Sequence, residues 1–260
     1  MKIEYKTMIK FFRKIRYKLL SERKTSRYLK YAIGEIILVV IGILIALQIN
    51  NWNEQKKAKQ QEQTYYCKIA EDLQVDIKNI DSSLVTIDER LKSTERFLKN
   101  LLKIQTDKQV IFKDFIPTFR YYKFIPTKPA IVDITSSGKL ETLRNQALKN
   151  RILSHYTEQD NALQIIDIND KAHIQKIIEI EKFADFGFQE VPEYQSIFDE
   201  ELQGLLSSTQ WQQNPKDELF IKIKDAMILS IIRSDREKEL LKAIKTDAEE
   251  LNSLLIENCD

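Results

Sequence analysis

The chain has 260 residues, with 41 Lys/Arg, 39 Asp/Glu and a formal net charge of +2. Five glycines and five prolines, against abundant Leu, Ile, Lys, Glu and Gln, favour helix throughout and make phosphate-cradling Gly-rich folds a poor fit. The near-neutral total hides a split: the first 31 residues carry eleven basic and two acidic side chains, net +9, and the remainder 30 and 37, net −7.

The basic arm comes first. Residues 9–20, IKFFRKIRYKLL, read as an amphipathic helix with Ile9, Phe12, Ile15, Leu19 and Leu20 on one stripe, suited to the headgroup region of a bilayer. Charge of this kind sets topology and lies against anionic lipid. No nucleic-acid-binding fold accompanies it, so nucleic acid is not an expected partner.

Ala32 to Ile49, AIGEIILVVIGILIALQI, follows. Its length as a helix, about 27 Å, approaches the roughly 30 Å hydrocarbon core of a bilayer. The uninterrupted run Ile36 to Leu47 is short enough to suit a membrane span, a signal-peptide core or a buried helix. Its flanks favour an uncleaved single span over residues 32–49. Tyr28 and Tyr31 stand at one end and Trp52 at the other, no small-x-small cleavage site follows, and the preceding segment exceeds a usual signal-peptide n-region. Basic residues are retained in the cytoplasm, which places residues 1–31 inside and 50–260 outside. Glu35, Gly42 and Ala46 share one helical face, a candidate helix-association surface. The plainer alternative is that Glu35 reaches the headgroups.

The stretch GEIILVVIGILIALQINNWNE, preceded by FFRKIRYKLLSERKTSRYLKYAI, resembles the N-terminal signature of a family of uncharacterised single-pass membrane proteins of Gram-negative bacteria. SSGKLETLRNQALKNRILSHY resembles that family's second block. The resemblance covers about a third of the chain and implies an inner-membrane location with a periplasmic C-terminal domain; it implies no activity. It also points to a start at Met8, with residues 1–7 an extension.

Beyond the span, NEQKKAKQQEQ holds no helix breaker and is expected to continue the helix. Tyr66, Ala70, Leu73, Ile77, Ile80, Leu84, Ile87, Leu91, Thr94, Leu98 and Leu101 then alternate at spacings of four and three, a coiled-coil-like seam on a long helix over about 53–104. It reads first as the core of a bundle, second as an intermolecular coiled coil. Pro117, Pro126 and Pro129 break up the next segment into short helices and irregular chain. Phe112, Phe115, Phe119, Tyr121, Tyr122 and Phe124 cluster there, as a plug at the end of the bundle or as a ligand pocket.

A short helix over 130–137 should end at Gly138, and Asn145 should cap a second long helix to about residue 183, ending by Gly187. Its stripe includes Leu148, Ile152, Tyr156, Leu163, Ile166, Ile174 and Ile177; Ile165, Ile168 and Ile178 widen the apolar surface and predict packing on more than one neighbour. After a short helix over about 194–206, a third long helix runs over about 216–257. Its seam runs Phe220, Ile223, Met227, Ser230, Ser234, Glu237, Leu241, Ile244, Ala248, Leu251 and Leu255. The polar break at Ser230, Ser234 and Glu237 reads as partial exposure or a register shift; the rival is a place for a polar ligand or another helix.

Cys67 and Cys259 are the two cysteines. A bridge is chemically allowed outside the cytoplasm, and an antiparallel last helix would bring them near, but spacing alone leaves the pairing open. His155 and His173 do not form the paired Glu-x-x-His units of a helical di-iron site, and two distant cysteines do not make a zinc site. Hydrolase, zincin and dinucleotide motifs are missing. The expectation is an all-α protein: one transmembrane helix and an extracytoplasmic bundle of three long helices with short capping helices. Neither catalysis, cofactor nor metal is expected. The expected role is an interaction or scaffold module touching the lipid bilayer and an envelope or membrane protein partner or a second copy; the alternative is a periplasmic small-molecule binder using the aromatic segment.

Overall fold

The computed structural model describes residues 13, 14, 17, 25–104, 106–119 and 123–259. Most of the expected amphipathic helix 9–20 lies outside them, as do Tyr121, Tyr122 and the side chains of Tyr28 and Tyr31. The described elements are helical, with no strand among the described residues. In chain order they are α1 (Thr25–Leu102), α2 (Lys108–Phe112), α3 (Phe115–Phe119), α4 (Pro129–Ser136), α5 (Gln146–Ile178), α6 (Phe183–Phe186), α7 (Glu200–Leu205) and α8 (Glu218–Ile256). The chain divides into two compact units, Met1–Gln61 and Glu62–Asp260.

In the N-terminal unit, α1 contains a window long and apolar enough to cross a membrane, none of it buried within the chain. From Ile36 to Ile49 its large apolar side chains are 45–66% exposed. A helix that is apolar on all faces and covered on none is not a core helix of this chain.

In the C-terminal unit, hydrophobic clusters order the long helices. One joins Tyr66, Ile69 and Leu73 of α1 with Leu148, Ile152 and Tyr156 of α5 and Ala248, Leu251 and Leu255 of α8. The next joins Ile80 and Ile87 with Ile166, Leu241 and Ile244. The last joins Phe97 and Leu101 with Phe220, Ile223 and Met227, with Ile177 of α5 packed against it. Residue numbers rise along α1 and α5 and fall along α8, so α5 runs parallel to α1 and α8 antiparallel to both. A parallel pair needs a return connection, and the segment between α1 and α5 provides it. Phe112 and Phe115 lie in the last cluster, Phe124 in the middle one, and Ala130, Ile134 and Leu143 in the first. Phe112 and Phe115 therefore sit at one end of the packed helices, and Phe124 lies further back along them.

Carboxylates of α1 hold this return segment. Asp76 accepts from the Thr127 amide (2.7 Å) and Asp72 from the Ala130 amide (2.9 Å), the latter in the first turn of α4, where N–H groups lack helical partners. Burial pushes the Asp72 carboxyl up, with the Ala130 hydrogen bond opposing. Glu62 accepts from the Arg144 and Asn145 amides at 2.6 and 3.0 Å, just before α5. Asn145 caps α5 by accepting from Leu148 N at 3.1 Å. Gly138 has φ +70°, and the Lys139 amide donates to Ile134 O at 3.0 Å, so α4 ends in a left-handed glycine turn.

Three expectations need correction. Helix α5 ends at Ile178, and Gly187 (φ +96°) instead caps the short α6. Ile165, Ile168 and Ile178 are 40%, 57% and 55% exposed, so the wider apolar surface of α5 is not covered by its neighbours. Ser230, Ser234 and Glu237 are buried, so the polar break is neither exposure nor slippage of register.

Candidate functional site

That break is filled by Arg90 of α1, only 2% exposed. Its Nε donates to Ser234 Oγ at 2.8 Å and its Nη2 pairs with the Glu237 carboxylate. Arg233 Nη1 pairs with Asp170 of α5 at 2.8 Å, and the Ser230 hydroxyl faces Thr118 O at 3.4 Å. A polar layer thus crosses the helices between two apolar clusters. Burial pushes the Arg90 guanidinium down, with Glu237 opposing, and pushes the Asp170 carboxyl up, with Arg233 opposing. Removing either partner of such a pair leaves a buried charge.

His173 lies beside this layer, buried, its ring stacked on Phe119 with centroids 5.9 Å apart. Burial and the nearby Arg233 charge push its pKa down to about 4, so the ring is neutral at neutral pH.

The aromatic residues separate by environment. Phe112 and Phe115 are fully buried against Phe186, at 5.1 and 4.9 Å between centroids, and Phe186 stacks on Trp211. Trp211 Nε1 donates to Phe186 O at 2.9 Å, which fixes the stack. Phe119 meets Phe115 edge-on at 4.6 Å and lines a recess of about 370 Å³ with His173, Ile177, Phe188 and Tyr194. Phe124 is elsewhere, in the middle cluster, and Tyr121 and Tyr122 lie outside the described residues. Of the four that are described, Phe115 and Phe119 line the recess and Phe112 and Phe124 do not. Its other walls come from α5 and from the segment after α6, which no local sequence pattern joins to residues 112–124.

On α1, Glu35, Gly42 and Ala46 lie on the apolar stretch. A Cβ on Gly42 would meet nothing within 4 Å, so this face is not packed by the chain itself.

A second ionic cluster joins α5 to α8. Asp247 pairs with Arg151 at 2.6 Å and with His155 Nδ1 at 2.5 Å. Cys67 and Cys259 are joined by a disulfide, Cα atoms 5.2 Å apart, tying the start of α1 in this unit to the end of the chain. Among the described residues, no group of three or more His, Cys, Asp or Glu is placed to hold a metal ion.

A family model described as a family of unknown function, DUF6090, matches residues 35–183, which takes in the apolar stretch, the return segment and α5. No curated protein and no solved structure matches the chain.

Proposed function

The chain belongs to the DUF6090 family, and on that premise we propose that it is a membrane-anchored helical interaction module without catalysis of its own. In this reading α1 spans the inner membrane of a Gram-negative cell with its N-terminus in the cytoplasm. It holds the C-terminal unit, as a helical bundle, in the periplasm. The observation that carries the reading is the pairing of an all-round apolar, uncovered helix with a disulfide in the unit beyond it. Disulfides persist in oxidising compartments and are rare in the cytosol. The +9 arm supports the same orientation. The small-residue face at Gly42 and Ala46 supports contact with a second membrane helix, from another protein or a second copy. A photo-crosslinking side chain at position 42 or 46, activated in intact membranes, is expected to give a protein–protein adduct; adducts to lipid alone would refute the interaction reading.

A second reading, a small-molecule binder, is favoured by the aromatic-lined recess of about 370 Å³, within the range of ligand pockets. Fluorescence of an uncharged apolar dye should rise on binding to the full chain and drop in Phe119→Ala. Equal fluorescence in both proteins would refute this reading.

A further inference from the structure

The recess of the second reading is walled by the last rings of a connected aromatic array. Trp211 stacks on Phe186, Phe186 lies 4.8 Å from Phe188, and Phe188 lies 6.0 Å from Tyr194, between centroids. From the same Phe186 a second run passes to Phe115 at 4.9 Å, to Phe119 at 4.6 Å and to His173 at 5.9 Å. These separations fall in the range of roughly 4.5–7 Å that aromatic pairs prefer. Both runs finish on the recess. Phe119, Phe188 and Tyr194 line it and are half-buried, so they keep ring surface open to a guest. Helix α5 adds aliphatic wall through Ile174 and Ile178, which are 42% and 55% exposed.

None of the nine lining residues is Asp, Glu, Lys or Arg, and His173 is neutral at neutral pH. An ion leaving water for these walls would meet no opposite charge among them. The volume of about 370 Å³ is near the lower end of the roughly 300–1,000 Å³ of ligand pockets, which suits a compact molecule better than a long alkyl chain. Resting on the binder reading, we propose that the recess binds an uncharged aromatic molecule of one or two fused rings, which pairs with Phe119, Phe188 and Tyr194 as those rings pair with their neighbours. Edge-to-face and offset contacts attract beyond the area they bury, because the face of a ring is negative and its edge positive. A saturated molecule of the same shape has no such face and binds more weakly.

The test uses the full chain in phosphatidylcholine nanodiscs, with isoleucine methyls labelled and read by NMR. It is dialysed at pH 7 against 2-naphthol, its saturated analogue decahydro-2-naphthol, or anionic 2-naphthoate; dialysis fixes the free concentration whatever enters the lipid. Ile174→Val and Ile178→Val assign the two methyl signals of the recess. 2-Naphthol should shift both signals saturably. Decahydro-2-naphthol should need about fivefold more for half-saturation. 2-Naphthoate over the same range should shift neither. Phe119→Leu keeps apolar bulk and removes one ring, so both alcohols should still bind, with midpoints closer together. Equal midpoints in the unaltered chain, naphthoate binding as tightly as naphthol, or an unchanged ratio in Phe119→Leu would overturn the aromatic class and leave the binder reading standing. No saturable shift from any of the three would overturn both.

Discussion

Helix α1 contains two apolar stretches that differ in what surrounds them. Ile36–Ile49 is apolar around the whole circumference and exposed on every face. Tyr66–Leu101 is apolar along one stripe, buried by α4, α5 and α8, and carries a charged residue, Arg90, inside the packing. The first stretch is long and apolar enough to cross a membrane and is covered by no other part of the chain. The second exists only through its partners. Apolar content alone therefore does not make a core; the angular distribution of side chains decides which face neighbouring helices can bury.

The comparison can be broken at its most demanding contact. Glu237→Ala should destabilise the C-terminal unit by about 3–5 kcal/mol in urea unfolding, because Arg90 is left charged and buried. Combining it with Arg90→Met should recover most of the loss; recovery of none would mean that the ionic pair is not the source. Next in size, Leu73→Ala should lower the same unfolding free energy by about 2–5 kcal/mol through cavity formation. Leu44→Ala, in the exposed stretch, should leave it within about 0.5 kcal/mol of wild type. Equal effects at Leu44 and Leu73 would dissolve the distinction.

Acid should act on the second stretch's surroundings. His173 has its pKa lowered from 6.5 to about 4, so between those values the unfolded chain binds more protons than the folded one. Its contribution is fully present above pH 6.5 and is lost as the pH falls towards 4, on the order of 3 kcal/mol. Unfolding curves at pH 7 and 4.5 should show this loss, and His173→Gln should reduce the difference between them. The smallest loss within the C-terminal unit belongs to the N-cap of α5, where Asn145→Ala should cost about 1 kcal/mol.

The seams of α1 and α8, the cap at Asn145 and the glycine turn at Gly138 were legible because each is a local pattern with a local cause. The eleven seam positions of α8 are all buried, including the polar three. What fills the polar break was not legible: Arg90 lies next to the seam residue Leu91, and its pairing with Glu237 spans 147 residues. The parallel course of α1 and α5 was hidden as well. Proline marked the intervening chain as irregular, but its return path is held by Asp72 and Asp76, which read as ordinary surface acids of a helix. The recess depends on contacts between distant segments and has no sequence motif. Ile165, Ile168 and Ile178 show the opposite failure, because apolar character predicted cover that the chain does not supply.

In the function proposed above, α1 crosses a membrane with the C-terminal unit outside. Proteinase K added to right-side-out spheroplasts of the native cell, read with a tag at the N-terminus, tests it most directly. With that topology, the full-length band is replaced by a short, membrane-protected N-terminal fragment. A full-length band that survives until the membrane is permeabilised would contradict it.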